Sequence, residues 1–172
     1  MVLRNIAMLL PEASNGVVLL KFDQTQSLMT LVQDSSLYLA RNIDVGYNLL
    51  IDQSKSILGE KSDDAMSSQQ QQALEQVLDM IVLEVQRSLD YYESHFAKPA
   101  INSLVIAPLP YEIPGMVKYL AGALGLQVRL LDLNAVLDTQ TPISEETQAN
   151  CFFAIGTALR EIALPLEKGE AA

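Results

Sequence analysis

After a short apolar stretch at residues 3–10 and a turn cluster from Pro11 to Gly16, three brief apolar runs follow, separated by polar quartets. Val17 to Phe22 is apolar and rich in β-branched residues, Asp23-Gln24-Thr25-Gln26 is polar, and Ser27 to Val32 is apolar again. Gln33-Asp34-Ser35-Ser36 makes a second turn, and Leu37 to Ile43 completes the set. The pattern predicts three strands, and turns this short imply antiparallel neighbours. In the third strand, Leu37, Leu39 and Arg41 are expected on one face, with Tyr38 and Ala40 on the other.

Asp44-Val45-Gly46 ends this meander, and residues 47–58 read as a helix with Leu50, Ile57 and Leu58 on one side. Residues 59–69 form a polar connection, expected to be mobile, and the glutamines at 69–72 suit a solvated first helical turn capped by Ser67 or Ser68. The strongest periodicity runs from Ala73 to Phe96. Leu74, Val77, Leu78, Ile81, Val82, Val85, Leu89 and Tyr92 recur at three- and four-residue steps, the stripe of a long amphipathic helix. Val77, Leu78, Ile81, Val85 and Leu89 are expected to bury against the sheet.

Lys98-Pro99 stops that helix. Ile101 to Ala107 has no polar alternation past Ser103 and predicts a central strand buried on both faces. Pro108-Leu109-Pro110 breaks it. Pro114 fits the first turn of a helix ending at Leu124 with Gly125 as its cap. Val128 to Leu133 predicts another strand. A last helix follows Pro142, favoured by Glu145 and Glu146 at its positive end, and is expected to run to about Ala163. Five strands are thus expected near 17–23, 27–33, 36–43, 101–107 and 127–132. The order βββαβαβα predicts an α/β domain with a mixed five-stranded sheet and helices packed on it. The 172 residues read as a single domain with its core at about 16–163 and a frayed tail at 164–172.

Charge narrows the partners. The chain has 11 Lys and Arg against 21 Asp and Glu, a net charge of −10. With no basic cluster to offset this, nucleic acid and anionic membrane surfaces are disfavoured. No apolar run is long enough for a membrane span, and the amino terminus lacks a secretory pattern. A single cysteine and a single histidine exclude an internal disulfide and a multi-Cys or multi-His metal site.

The residues that invite a chemical role have plainer explanations. His95 reads as a solvated helix-end residue, and Cys151 as a buried or half-buried structural thiol. Asp63-Asp64 lacks the spaced ligands and glycine of a calcium loop and reads as a solvated pair. Arg87 lies off the apolar stripe near Glu84 and Asp90, where a helix-surface ion pair is expected; a partner contact is the alternative.

Four phrases, in order, carry a family resemblance. Leu37 to Gly46 resembles "F-x-R-x-I-x-x-G" of the type IV pilus assembly protein PilM family, and Leu83 to Tyr92 resembles its "E-I-x-R-S-L-x-F-F". Ile113 to Leu120 resembles "I-P-G-L-x-x-Y-L", and Phe153 to Arg160 resembles "A-x-G-L-A-L-R". Within this group the chain is most similar to the MSHA-pilus branch. The resemblance implies one lobe, the second, of the actin-like (ribonuclease-H-like) ATPase fold. The family's first lobe has no counterpart here, which implies a carboxy-terminal piece.

In ATP-binding relatives an Asp-Ile-Gly phrase at the first hairpin places an acid near Mg²⁺ and a glycine near the phosphates. Aligned back from Arg41 and Gly46, those positions fall on Lys21, Phe22 and Asp23. A two-residue slip would restore Asp23 as the acid, but Gln24-Thr25 still offers no glycine. The family's second glycine pair is replaced by Pro108 and Leu109, followed by Pro110, and the prolines bring no N–H donors. Lys21 and Asp23 are expected to form or screen a local charge pair. The resemblance therefore implies a degenerate nucleotide site with no catalytic residue, cofactor or metal. It implies a non-catalytic cytoplasmic scaffold of a type IV, MSHA-like pilus machine, held under the inner membrane by a PilN-like partner. That partner's tail would bind mainly through the first lobe. The alternative is an active ATP-binding switch or ATPase of pilus or type II secretion machinery.

Overall fold

A computed structural model describes residues 2–55, 68–96 and 98–159. The three apolar runs form β1 (Val17–Phe22), β2 (Ser27–Gln33) and β3 (Ser36–Ile43), joined as an antiparallel meander. Two further strands, β4 (Ser103–Ile106) and β5 (Gln127–Leu130), extend the sheet in parallel to β1, giving the order β3-β2-β1-β4-β5. β4 is an interior strand, as its unbroken apolar run requires, with Leu104, Val105 and Ile106 fully buried. The middle strand, however, is β1 rather than β4. The parallel register Leu20↔Ile106 puts β4 on the side of β1 that β2 leaves free.

Helices cover both faces. On one face lie α2 (Tyr47–Lys55), α3 (Ser68–Phe96) and α4 (Met116–Leu124). They enclose Val18, Leu20, Met29, Leu31, Leu104 and Ile106 with Leu74, Leu78, Ile81 and Val85. Each such side chain contributes about 1.5–3 kcal/mol when fully buried. Val77, Leu78, Ile81 and Val85 are buried as the periodicity requires; Leu89 is only half-buried. On the other face, α1 (Val2–Ala7) and α5 (Glu145–Ala158) cover Val17, Leu19, Val32, Val105 and Ala107. The two helices cross at Gly156, where an added Cβ would stand 2.5 Å from Val2 Cγ1.

Several expectations are corrected. The side-chain alternation along β3 slips at a bulge: Leu31 pairs with Leu39 and Val32 with Leu37, so Tyr38 is an extra residue. Tyr38 and Leu39 therefore both pack against the α2-α3-α4 core, while Leu37 is 39% exposed on the opposite face. Pro114 lies in the turn before α4, whose N-cap is the left-handed Gly115, rather than inside the helix. Gly125 is the expected left-handed C-cap. α5 ends at Ala158 with Leu159 as its cap, short of Ala163. Residues 56–67, which include the end of the expected 47–58 helix, most of the polar connection, Asp63-Asp64 and Ser67, lie outside the described residues. So do residues 160–172, with Arg160 and the tail.

Candidate functional site

Both groups of site residues taken from the family resemblance lie at one end of the sheet. β1 and β4 are parallel and in register, and the Ala107 amide donates to the Leu20 carbonyl at 2.8 Å. Lys21-Phe22-Asp23 and Pro108-Leu109-Pro110 consequently leave the carboxyl ends of adjacent strands. This is the edge at which open α/β sheets hold ligands.

At the end of β1 the three side chains diverge. Phe22 is buried in the α2-α3-α4 core. Lys21 points to the α5 face and is only 6% exposed. Its Nζ donates to the Phe22 carbonyl at 2.7 Å and stands 5.9 Å from the ring centres of both Phe152 and Phe153. Desolvation pushes the Lys21 ammonium below its ordinary pKa, and the nearby Asp23 charge offsets part of that fall. The direct Lys21–Asp23 pair is not formed among the described residues, because the ammonium turns inward to a carbonyl. Asp23 is exposed in the hairpin turn.

That turn is fixed by backbone contacts. The Asp23 amide donates to Gln26 O at 2.8 Å, and the Asp23 and Gln24 carbonyls accept from the Tyr47 and Asn48 amides at 2.7 and 3.0 Å. The first amides of α2 are thus bonded within the chain and satisfied. Gly46 permits the approach: a Cβ there would sit 2.3 Å from the Thr25 carbonyl carbon. None of residues 23–26 has a positive φ, so the turn closes without a glycine.

Beyond β4 and β5 a cavity of about 400 Å³ remains open. Pro108 and Leu109 form one wall, Leu131 and Asp132 another, and Ser144 and Gln148 the third. Pro108 and Leu109 are buried and Pro110 is exposed, so the segment ends the strand as a stiff, partly core-forming loop. The cavity's polar frame is made by Gln148, which is 3% exposed. Its Oε1 accepts from Leu133 N at 2.7 Å, and its Nε2 donates to Asp132 Oδ1 at 2.9 Å and Ile143 O at 3.1 Å. Asn134 closes the frame by donating to Ile143 O at 2.9 Å and accepting from Ile143 N at 2.7 Å. Hydrogen bonds from Gln148 and Asn134 hold the Asp132 carboxyl below its ordinary pKa.

Glu112, Asp132 and Glu145 line this cavity, and among the described residues no Lys or Arg does. The three carboxylates give the cavity a negative potential, opposed at Glu145 by the positive end of α5. Lys21 and Asp23 are not part of it. The sequence reading missed Gln148, Asn134 and Asp132. The available signal was a glutamine on the inward side of the last helix, one turn before the buried Phe152.

The other singled-out residues sit as follows. Arg87 Nη1 pairs with Glu84 Oε1 at 2.8 Å, and Glu84 also meets Arg41 of β3 at 3.6 Å; Asp90 is not involved. His95 is exposed at the end of α3, bonded to Tyr91 O at 2.9 Å and stacked on the Tyr91 ring. Cys151 is exposed, not buried, because Phe152 takes the inward position of α5.

No family model and no curated protein matches the sequence. Solved structures do match the fold. One is a PilM-PilN type IV pilus biogenesis complex, with a TM-score of 0.67 and 16% identity over 95% of this chain and 51% of the matched one. Another is the ethanolamine utilization protein EutJ of Carboxydothermus hydrogenoformans, with a TM-score of 0.55 and 13% identity over 92% of this chain and 53% of the other. The fold is that of the actin-like ATPases. The chain spans about half the length of both matched structures, consistent with one lobe of that fold. Among the described residues no helix is long and apolar enough to cross a membrane.

Proposed function

We propose that this chain is the second lobe of a PilM-like protein and serves as a non-catalytic scaffold in type IV pilus assembly. Its phrases most resemble those of MshI, of the MSHA pilus. The observation that carries the reading is the match over 95% of the chain to the PilM-PilN complex, taken with the four ordered phrases. The partner is then a PilN-like inner-membrane protein. It holds the scaffold at the cytoplasmic side of the membrane through that protein's tail rather than by direct insertion.

The nucleotide site is degenerate in this reading. A buried Lys21 stands where relatives carry the acid near Mg²⁺, and Pro108 and Leu109 stand where they carry glycines. An acid-lined cavity adds repulsion toward phosphate. The lobe then works through protein contacts rather than turnover.

Co-expression with the cytoplasmic tail of the cognate PilN-like protein tests this. A complex that co-elutes equally with and without Mg²⁺-ATP is expected from the full-length protein. A complex that forms only with Mg²⁺-ATP would favour the rival reading, an active actin-like switch of pilus or type II secretion machinery. No complex under either condition would overturn the pilus assignment.

A further inference from the structure

The outer face of α3 carries a stripe that stays largely exposed among the described residues, although His95 stacks on one face of the Tyr91 ring. Met80 is 49% exposed, Leu83 47% and Tyr91 43%. Arg87 lies between them with 59% of its side chain exposed. The steps of three, four and four residues keep the four side chains on one face for about 16 Å, and Tyr91 returns to within about 20° of Met80. This is the spacing of a helix-pairing seam. It lies opposite the stripe formed by Leu74, Leu78, Ile81 and Val85, which the fold buries.

The charges of this stripe are arranged symmetrically. Take a two-fold axis between Val85 and Gln86, with two copies of α3 antiparallel. Met80 then faces the partner subunit's Tyr91. Glu84 faces the partner subunit's Arg87, and the reverse pair repeats the contact. Leu83 lies against the aliphatic stem of the partner subunit's Arg87. We propose that this face of α3 is an isologous dimer seam and that its occupant is a second copy of this chain. An isologous contact needs a self-complementary patch, and the Glu84/Arg87 pairing supplies one, with apolar groups on either side. Glu84 already meets Arg87 and Arg41 within its own copy and has 29% of its side chain exposed, so the contact across the axis is made by the exposed Arg87 guanidinium, which keeps donors for a second carboxylate. The net charge of −10 on each copy opposes association at long range, so the seam forms where salt screens that repulsion.

The test is sedimentation equilibrium of the 172-residue chain at about 0.15 M salt, where the Debye length is about 8 Å. A concentration-dependent dimer is expected. Glu84→Arg and Arg87→Glu should each weaken it about tenfold or more, because each puts like charges face to face; Glu84→Arg also loses its own contacts to Arg41 and Arg87, so the mixture of the two variants is the deciding arm. Mixing the two variants should restore association, since every facing pair is again opposite in sign. Circular dichroism of each variant alone confirms that the fold is retained. A wild-type chain that remains monomeric at about 1 mM would overturn the proposal. So would single variants that dimerise as well as the wild type, or a mixture that fails to associate.

Discussion

The carboxyl ends of β1 and β4 are neighbours in the sheet but differ in what they leave available. Beyond β1 the chain closes on itself: the 23–26 turn bonds to the first amides of α2, Gly46 brings the backbones into contact, and Lys21 spends its proton on its own strand. Beyond β4 and β5 the chain stays open around a cavity of about 400 Å³ framed by Gln148 and lined by carboxylates. The first region is closed by geometry and the second is guarded by charge. At the first, the α2 amides are already bonded within the chain; at the second, three carboxylates stand around the first turn of α5.

The difference can be broken most forcefully at Gly46. Gly46→Ala places a Cβ 2.3 Å from the Thr25 backbone, which has no flexible end to move aside. The hairpin must leave α2, and a loss of about 3 kcal/mol or more is expected. Chemical denaturation measures it; a wild-type midpoint would show that the turn is not docked. At the cavity, Gln148→Ala strands the buried Leu133 amide and frees Asp132, and a loss of about 2 kcal/mol follows. The same variant should leave the β1 end intact, so Gly46→Ala and Gln148→Ala should be additive to about 0.5 kcal/mol.

The smallest effect is expected at Lys21. Lys21→Met removes a buried ammonium that has no acid in direct contact, and stability should change by about 1 kcal/mol or less, in the stabilising direction. Its pH dependence carries a sign. Burial lowers the folded-state pKa below the ordinary 10.5 of the unfolded chain. Between the two values the unfolded state binds more protons, so wild-type stability rises with pH as it approaches 10.5. Lys21→Met should lose that rise. Parallel stability curves for the two proteins above neutral pH would mean that Lys21 is hydrated in the native state.

Much of the architecture was legible because short polar turns and apolar runs report strands directly. Val17–Phe22 and Ser27–Gln33 needed nothing beyond local pattern, and α3 nothing beyond its period. What escaped depends on contacts distant in sequence. α1 is six residues long and owes its place to packing on α5 at Gly156, for which residues 2–7 carry no local signal. The inward turn of Tyr38 comes from a bulge in the β2–β3 pairing, and a slip of one position reassigns faces. The candidate site was legible only through resemblance. Lys21 and Pro108 could be flagged as departures from a family phrase, but the cavity's frame rests on Gln148, whose three bonds reach residues 132, 133 and 143.

The most direct test of the account is a fluorescence titration of the protein at its full native length with a fluorescent ATP analogue and Mg²⁺. The buried Lys21 and the acid-lined cavity predict no saturable signal and none displaced by unlabelled ATP. Saturable, Mg²⁺-dependent binding in the micromolar range, displaced by unlabelled ATP, would contradict it.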